Sequence, residues 1–338
     1  MHDLANQPTP FLMVDLPTFE SNLSKMSEAL PGVSLRPHVK AFKSTAIAKR
    51  LYEAGHTAFC CATVKEMEGM AAAGLGDDLL LANEVLETQR LGVLVENGAN
   101  VTVAVDSKET IDAASNGGIR NILIDVNVGL RRCGCAVSEA GNLAAYAKKK
   151  GLNIRGVMGY EGHLMMVENR TTQAEEVKDA MALLLQAHKD VGGPVISAGG
   201  TGTFDINIWA TEIQAGSYLF MDTQYAKVDL PFSQCLSVMS RVISLAPDRS
   251  WAVVDAGLKA FGMDHGNPSV ASGVVGFCSD EHTTLYPPKG QELVTWNIGD
   301  LVPLSPAHVD PTIAKHPKML AIKGKSLIEE WPIDLRDW

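Results

Sequence analysis

Up to residue 222 the chain alternates short apolar runs with longer amphipathic ones, and few folds accommodate that rhythm. Apolar, β-prone runs occupy 33–40, 57–63, 78–83, 101–106, 121–127, 154–160, 194–199 and 212–221. Between them, apolar residues recur at three- and four-residue spacing over 44–54, 64–73, 85–97, 108–116, 137–150 and 171–191, which predicts helices. Gly55, Gly74, Gly98 and Gly151 fall just past four of these, where a left-handed C-cap favours glycine. Strands that are apolar on both faces and separated by helices pair in parallel. Eight of them predict a (β/α)8 barrel of the TIM type. A doubly wound sheet is the rival, and the steady strand–helix count favours the barrel.

After residue 222 strand-like runs (236–244, 251–255, 269–278, 301–304, 319–322) are broken by Pro, Gly, Asn and Asp, with no long helical pattern. That texture predicts a second, smaller C-terminal β-domain. An N-terminal strand over 9–14 is placed to join it. The division expected is a barrel over 15–225 and a β-domain of 1–14 plus 226–338. A net charge of −10 without a basic stripe argues against nucleic acid and anionic membranes as partners. No apolar run is long enough to span a membrane, and Met1-His2-Asp3 begins no signal-peptide pattern. The six cysteines show no zinc-like spacing, and Cys60-Cys61 suit a strand core. These features predict a cytoplasmic enzyme in a reducing compartment.

A barrel places its chemistry at the C-terminal ends of its strands. The first strand ends at Lys40, between Arg36 and Lys43. Partial desolvation and neighbouring cations would favour the free amine that a Schiff base needs. A surface lysine at a strand end is the plain alternative. The seventh strand runs into Gly199-Gly200-Thr201-Gly202-Thr203 and the eighth contains Gly216-Ser217-Tyr218. Glycines and hydroxyls after a strand make an anion nest, and the loops after strands seven and eight are a barrel's usual phosphate site. A simple glycine-rich turn is the other reading of that loop. A phosphate there, opposite Lys40, is a layout for pyridoxal 5′-phosphate, with Arg132 and Tyr160 at the ring edges.

Taken in order, these segments resemble the fold-type III pyridoxal phosphate enzymes, the alanine racemase fold. Within them the chain resembles the D-threonine aldolase / D-serine dehydratase-like family. The likeness runs through Arg36-Pro37-His38-Val39-Lys40, Gly129…Arg132-Cys133-Gly134, Tyr160…Gly162, Gly199 to Thr203, Asp255-Ala256-Gly257-Leu258-Lys259 and His308-Val309-Asp310. It implies that Lys40 is the Schiff-base lysine, that Arg132 lies by the cofactor's O3′, and that His38 and Tyr160 also contact the cofactor. It places the phosphate on Gly200, Thr201, Gly202, Thr203, Gly216, Ser217 and Tyr218. It also implies a homodimer.

The pair His308 and Asp310, two apart on an expected extended segment, would point to one side. An imidazole and a carboxylate suit manganese, zinc or magnesium. On spacing alone an ordinary loop His and Asp is the alternative. In the family this is the metal site, with His-x-Asp in aldolase-like members and His-x-Cys in dehydratase-like ones. The resemblance therefore implies retro-aldol cleavage of a small D-β-hydroxy amino acid to glycine and an aldehyde. A D-serine or 3-hydroxy-D-aspartate dehydratase, an amino-acid racemase and a non-catalytic cofactor carrier are the other readings. Two positions depart from the family pattern: Phe42 and Met166 stand where histidines are usual. His163, beside Tyr160, is the candidate base in their place, so Lys40, Tyr160 and His163 form the expected catalytic set. Glu84 is expected to be a helix N-terminal charge, and Asp255 and Lys259 are expected to pair.

Overall fold

The computed structural model describes residues 4–338, and these form two compact units. One comprises Met26–Lys40, Thr45–Gly216 and Leu335–Trp338. Its parallel sheet runs in chain order through Ala58–Cys61, Asp78–Leu81, Val101–Val105, Asn121–Asp125, Asn153–Gly159, Val195–Ala198 and Glu212–Ile213. The segment 35–38 closes the ring. Leu35 bridges Ile213 and His38 bridges Cys60, both in parallel. This is the eight-stave barrel expected, with 35–38 as stave one and Glu212–Ile213 as stave eight. The helices Thr45–Glu53, Val64–Ala72, Gln89–Glu96, Lys108–Asn116, Val137–Lys149 and Arg170–Val191 separate the staves. The four C-cap glycines all have positive φ, as the sequence predicts.

Staves one and eight are shorter than expected. The backbone N–H groups of Arg36 and His38 donate to Ile213 O and Ala215 O, and Pro37 O accepts from Cys60 N. Pro37 faces stave two but carries no N–H, so it contributes only its carbonyl to that ladder. The chain turns into a 3-10 turn at Val39–Ala41, and Lys40 sits in that turn rather than on a strand. Stave eight pairs through Glu212–Ile213, and a 3-10 turn at Ser217–Leu219 follows.

Inside the barrel the staves are tied at two levels. Cys60, Leu80, Ala104, Leu123 and Met158, one from each of five staves, form an apolar cluster. Burial pushes the Cys60 thiol up, which keeps it a packing group. Arg36, 2% exposed, forks onto Glu212 at 2.7 and 2.9 Å and onto Asp78 at 3.3 and 3.1 Å. Arg155 holds the same Asp78 at 2.7 and 2.9 Å. Burial opposes the Arg36 charge, but the two carboxylates outweigh it and the guanidinium pKa moves up. Arg36 is therefore committed to Glu212 and Asp78 and is not the free cationic neighbour of Lys40 that the sequence suggests.

The other unit comprises the described residues up to Lys25, Ala41–Ser44 and Ser217–Asp334. Its sheet runs Val274–Cys278, Thr283–Tyr286, Ala252–Val254, Leu236–Leu245, Phe11–Asp15, Lys318–Lys323, Ser326–Pro332, with Leu301–Leu304 also on Leu236–Leu245. The N-terminal strand does join it, parallel to Lys318–Lys323 and antiparallel to Leu236–Leu245. Two strands, Thr283–Tyr286 and Ser326–Pro332, lie outside the runs that the sequence predicts. The first is only four residues long, and the second is an edge strand, mostly exposed on one face. Trp331 and Phe220 pack on Phe19, at ring distances of 4.9 and 5.5 Å. Asp255 accepts from Arg241 N, while Lys259 pairs with Glu281, so these two do not pair with each other. Among the described residues no helix is long and apolar enough to cross a membrane.

Removing one arm of the Arg36 fork tests the barrel's ion cluster. Glu212→Ala should lower the urea unfolding free energy by about 3–5 kcal/mol, because it strands a buried charge. Arg36→Met with Glu212→Leu should cost less than Glu212→Ala alone. A single-variant loss below about 1 kcal/mol would show that the cluster does not tie the staves.

Candidate active site

Around the barrel's C-terminal ends the structure gathers several of the expected residues. Tyr160 and Glu161 follow stave six. The Arg132 guanidinium lies over the Tyr160 ring, 5.6 Å from its centroid. Asp125, Asn127, Arg132, Met158 and Tyr160 line one concavity. The loop after stave five reaches back to His163: a Cβ built on Gly129 would lie 2.9 Å from both Cε1 and Nε2 of that imidazole. Gly129 is therefore what lets the exposed His163 ring seat there.

The glycine-rich loop after stave seven is organised by Glu161, a residue to which the sequence reading gave no role. Glu161 is fully buried. Its carboxylate accepts from Gly199 N at 3.0 Å, Thr203 Oγ1 at 3.0 Å and Asn207 Nδ2 at 2.8 Å. Thr203 Oγ1 in turn accepts from Gly200 N. The Thr203 hydroxyl thus shapes the loop. Gly202 packs so closely on residue 165 that a Cβ would meet the Met165 carbonyl oxygen at 2.1 Å, so only glycine fits. Arg170 and Gln173, on the long helix before stave seven, both donate to Gly202 O. The loop is held in shape by the protein's own groups.

A second buried carboxyl, also unassigned from sequence, lies at the end of stave five. Asp125 is 6% exposed, and burial first, then the hydrogen-bonded Glu84 carboxyl, pushes its pKa well above the usual carboxylate range. The neutral acid is favoured at Asp125. Glu84 precedes the helix Gln89–Glu96 by several residues, so it is not a helix N-terminal charge as expected. Cys133 is pushed up to about 11, by burial and then by the hydrogen bond to Glu84.

In the β-unit, Ser217 and Tyr218 lie in one 3-10 turn. Tyr218 is fully buried against Phe232, and Ser217 Oγ donates to Asp310 Oδ1 at 3.1 Å. The segment 308–310 is not extended as expected. His308 is the extended N-cap of a short helix, Val309–Ile313, whose first turn contains Asp310. The buried Asp222 sets this arrangement by accepting from Val309 N at 3.1 Å and from Gln224 N and Tyr225 N. His308 faces Asp264 and stacks on His265, two residues absent from the sequence reading. Their only sequence signal is an Asp-His pair opening a Gly-Asn-Pro turn.

A family model described as the alanine racemase N-terminal domain matches residues 14–224, more than half of the chain. A second, described as a putative serine dehydratase domain, matches residues 235–322. The chain is 31% identical to a D-threonine aldolase of Arthrobacter sp., with 98% of this chain and 94% of the relative covered. The chain belongs to the D-threonine aldolase / D-serine dehydratase-like family of the alanine racemase fold. A second family member, a 3-hydroxy-D-aspartate aldolase of Paracoccus denitrificans (strain Pd 1222), is 32% identical over 97% of this chain and 92% of its own. The crystal structure of D-threonine aldolase from Filomicrobium marinum superposes with a TM-score of 0.91 at 31% identity, covering 98% of this chain and 96% of that one. The family's enzymes are lyases dependent on pyridoxal phosphate. The barrel residues fit that group: a lysine in the turn after stave one, a prearranged loop of glycines and threonines, and an arginine over a tyrosine ring.

Because Glu161 carries three of the loop's donors, Glu161→Ala should weaken retention of pyridoxal phosphate at least about tenfold, the equivalent of one lost hydrogen bond to a charged group. Equilibrium dialysis measures this directly. Retention equal to the parent protein's would mean that the loop keeps its shape without the carboxylate.

Proposed function

We propose that this protein is a pyridoxal-phosphate- and divalent-metal-dependent lyase of the D-threonine aldolase type. It cleaves small D-β-hydroxy amino acids to glycine and an aldehyde. The observation that carries this reading is the near full-length identity of 31% to a D-threonine aldolase, in a chain with Asp rather than Cys two residues after His308. Three relatives that exceed the dehydratase in identity are aldolases; the D-threo-3-hydroxyaspartate dehydratase of Delftia sp. (strain HT23) is 28% identical over 76% of this chain.

In this reading the division of labour follows 15–225 for the cofactor and 1–14 plus 226–338 for the metal. Lys40 would hold the cofactor at its aldehyde end through the side-chain amine. Arg132, stacked on Tyr160, and His38 hold the ring's polar edge. Gly200, Thr201, Gly202, Thr203, Gly216, Ser217 and Tyr218 receive the phosphate. Bound pyridoxal phosphate acts as the electron sink that weakens the bonds at the substrate's Cα. His163 is the imidazole that takes the β-hydroxyl proton. Its seat on Gly129 leaves Nδ1 on the more distant side, 3.9 Å from a Cβ built there. Tyr160 orients the substrate beside it. His308 and Asp310 would hold the divalent ion, manganese or else zinc or magnesium, which supplies Lewis acidity to a hydroxyl oxygen. Their imidazole and carboxylate suit such an ion. A homodimer in the cytoplasm belongs to the same proposal, and six cysteines outside any disulfide agree with a reducing compartment.

Product analysis tests the reaction. With manganese present, D-threonine should yield glycine and acetaldehyde, and a chelator should abolish turnover. D-serine and 3-hydroxy-D-aspartate serve as competing substrates; a 2-oxo acid plus ammonia as the main products would replace the aldolase by a dehydratase. Lys40→Ala should lose the visible absorbance of bound cofactor and its fixation by borohydride. Fixation that survives in this variant would remove Lys40 from its role.

A further inference from the structure

The strongest group outside the expected set is the cluster formed by His308, Asp264 and His265, whose ligating atoms lie within 4.8 Å of one another. Asp264 Oδ2 lies 2.7 Å from His308 Nδ1. The same oxygen is 3.8 Å from His265 Nε2, beyond a hydrogen bond. The two imidazoles are parallel, with centroids 4.0 Å apart and planes 7° apart. The backbone fixes this encounter. Gly262 bridges His308, Gly262 N donates to Thr312 Oγ1, and Thr312 Oγ1 donates to His308 O. A Cβ on Gly262 would meet Pro311 Cγ at 2.2 Å, so the two segments touch with no room between them. Gln224 Nε2 donates to His265 O and anchors the other end.

These distances separate two roles for Asp264. Two ligands of one ion, each about 2.1 Å from it and at a right angle, are about 3 Å apart. The contact of 2.7 Å is instead that of a charge-assisted hydrogen bond, in which Nδ1–H donates to the carboxylate. A proton on Nδ1 leaves the lone pair on Nε2 for a metal, in the ring orientation that the carboxylate sets. Stacking on His265 restrains the remaining freedom, rotation of the ring about its own axis.

We propose that Asp264 and His265 are positioning residues for a divalent cation bound by His308. Asp264 selects the Nδ1–H tautomer, so that Nε2 is the metal-binding atom, and His265 fixes the plane of the ring. The proposal rests on the reading above that His308 binds the metal.

The test is a Mn2+ titration of the cofactor-loaded protein, with the free ion followed by electron paramagnetic resonance. Thermal melting and the absorbance of the bound cofactor confirm that each variant is folded. Asp264→Ala and His265→Ala should each raise the Mn2+ Kd by about 10–100-fold. Asp264→Asn, whose Oδ1 still accepts from Nδ1–H, and His265→Phe, which still stacks, should recover most of that loss. If His308→Ala loses Mn2+ while Asp264→Ala binds it as the parent does, the positioning role is overturned and the metal site stands. Parent-like affinity in His308→Ala would overturn the metal reading itself. An equal loss in His265→Phe and His265→Ala would assign a ligating nitrogen to His265 and end the stacking role.

Discussion

Everything at the barrel's mouth depends on how the ring closes at its first stave. Stave one is a four-residue segment with a proline in it, and backbone pairing alone holds it weakly. Three backbone hydrogen bonds join it to staves two and eight. The Arg36 side chain adds what the backbone lacks, reaching Glu212 of stave eight, Asp78 of stave three and the carbonyl oxygen of Phe59 in stave two. A buried guanidinium with five donors in a planar fork can satisfy several staves at once, which an ammonium could not. Lys40 follows four residues later, and its position is set by that closure.

Buried carboxylates also fix loops within each unit. In the barrel Glu161 collects the donors of the glycine-rich loop, and in the β-unit Asp222 collects three backbone N–H groups and thereby sets the turn at His308. Each exchanges hydration for hydrogen bonds that hold a loop in one shape, and a site prearranged in this way loses less entropy on binding. Asp125 differs: its burial, with the Glu84 carboxyl beside it, favours its neutral form.

Much of this was legible in the chain. The helices fell within a few residues of their predicted limits because amphipathic periodicity and C-cap glycines are local signals. The ring of staves followed from their number and spacing. Stave one is shorter than its β-prone run because the chain enters a 3-10 turn at Val39–Ala41, directly after the His38–Cys60 bridge. The edge strand Ser326–Pro332 is weakly signalled because its apolar residues (Leu327, Ile328, Trp331) do not alternate with its polar ones and a proline ends it. In the site, Tyr160, Arg132 and the loop 199–203 were legible from their places after staves. Glu161 stood between two noted residues and went unassigned, because its partners lie some forty positions along the chain.

The amino-acid sequence by itself determined the alternation of strands and helices, the change to β structure after residue 222, and the family motifs around Lys40 and His308. These depend on local periodicity and on residue types at fixed spacings, and both survive in a linear string. Only the tertiary structure decided that Arg36 serves the ring rather than Lys40, that Glu161 shapes the anion loop, that His308 caps a helix, and that Asp264 and His265 flank it. The first two are contacts between groups distant in sequence made specific by burial, whereas Asp264 is an exposed carboxylate brought to His308 by the backbone pairing of their two segments. Where solvent is excluded, a charge must find its partner at hydrogen-bond distance, and only the folded chain determines which partner is within reach.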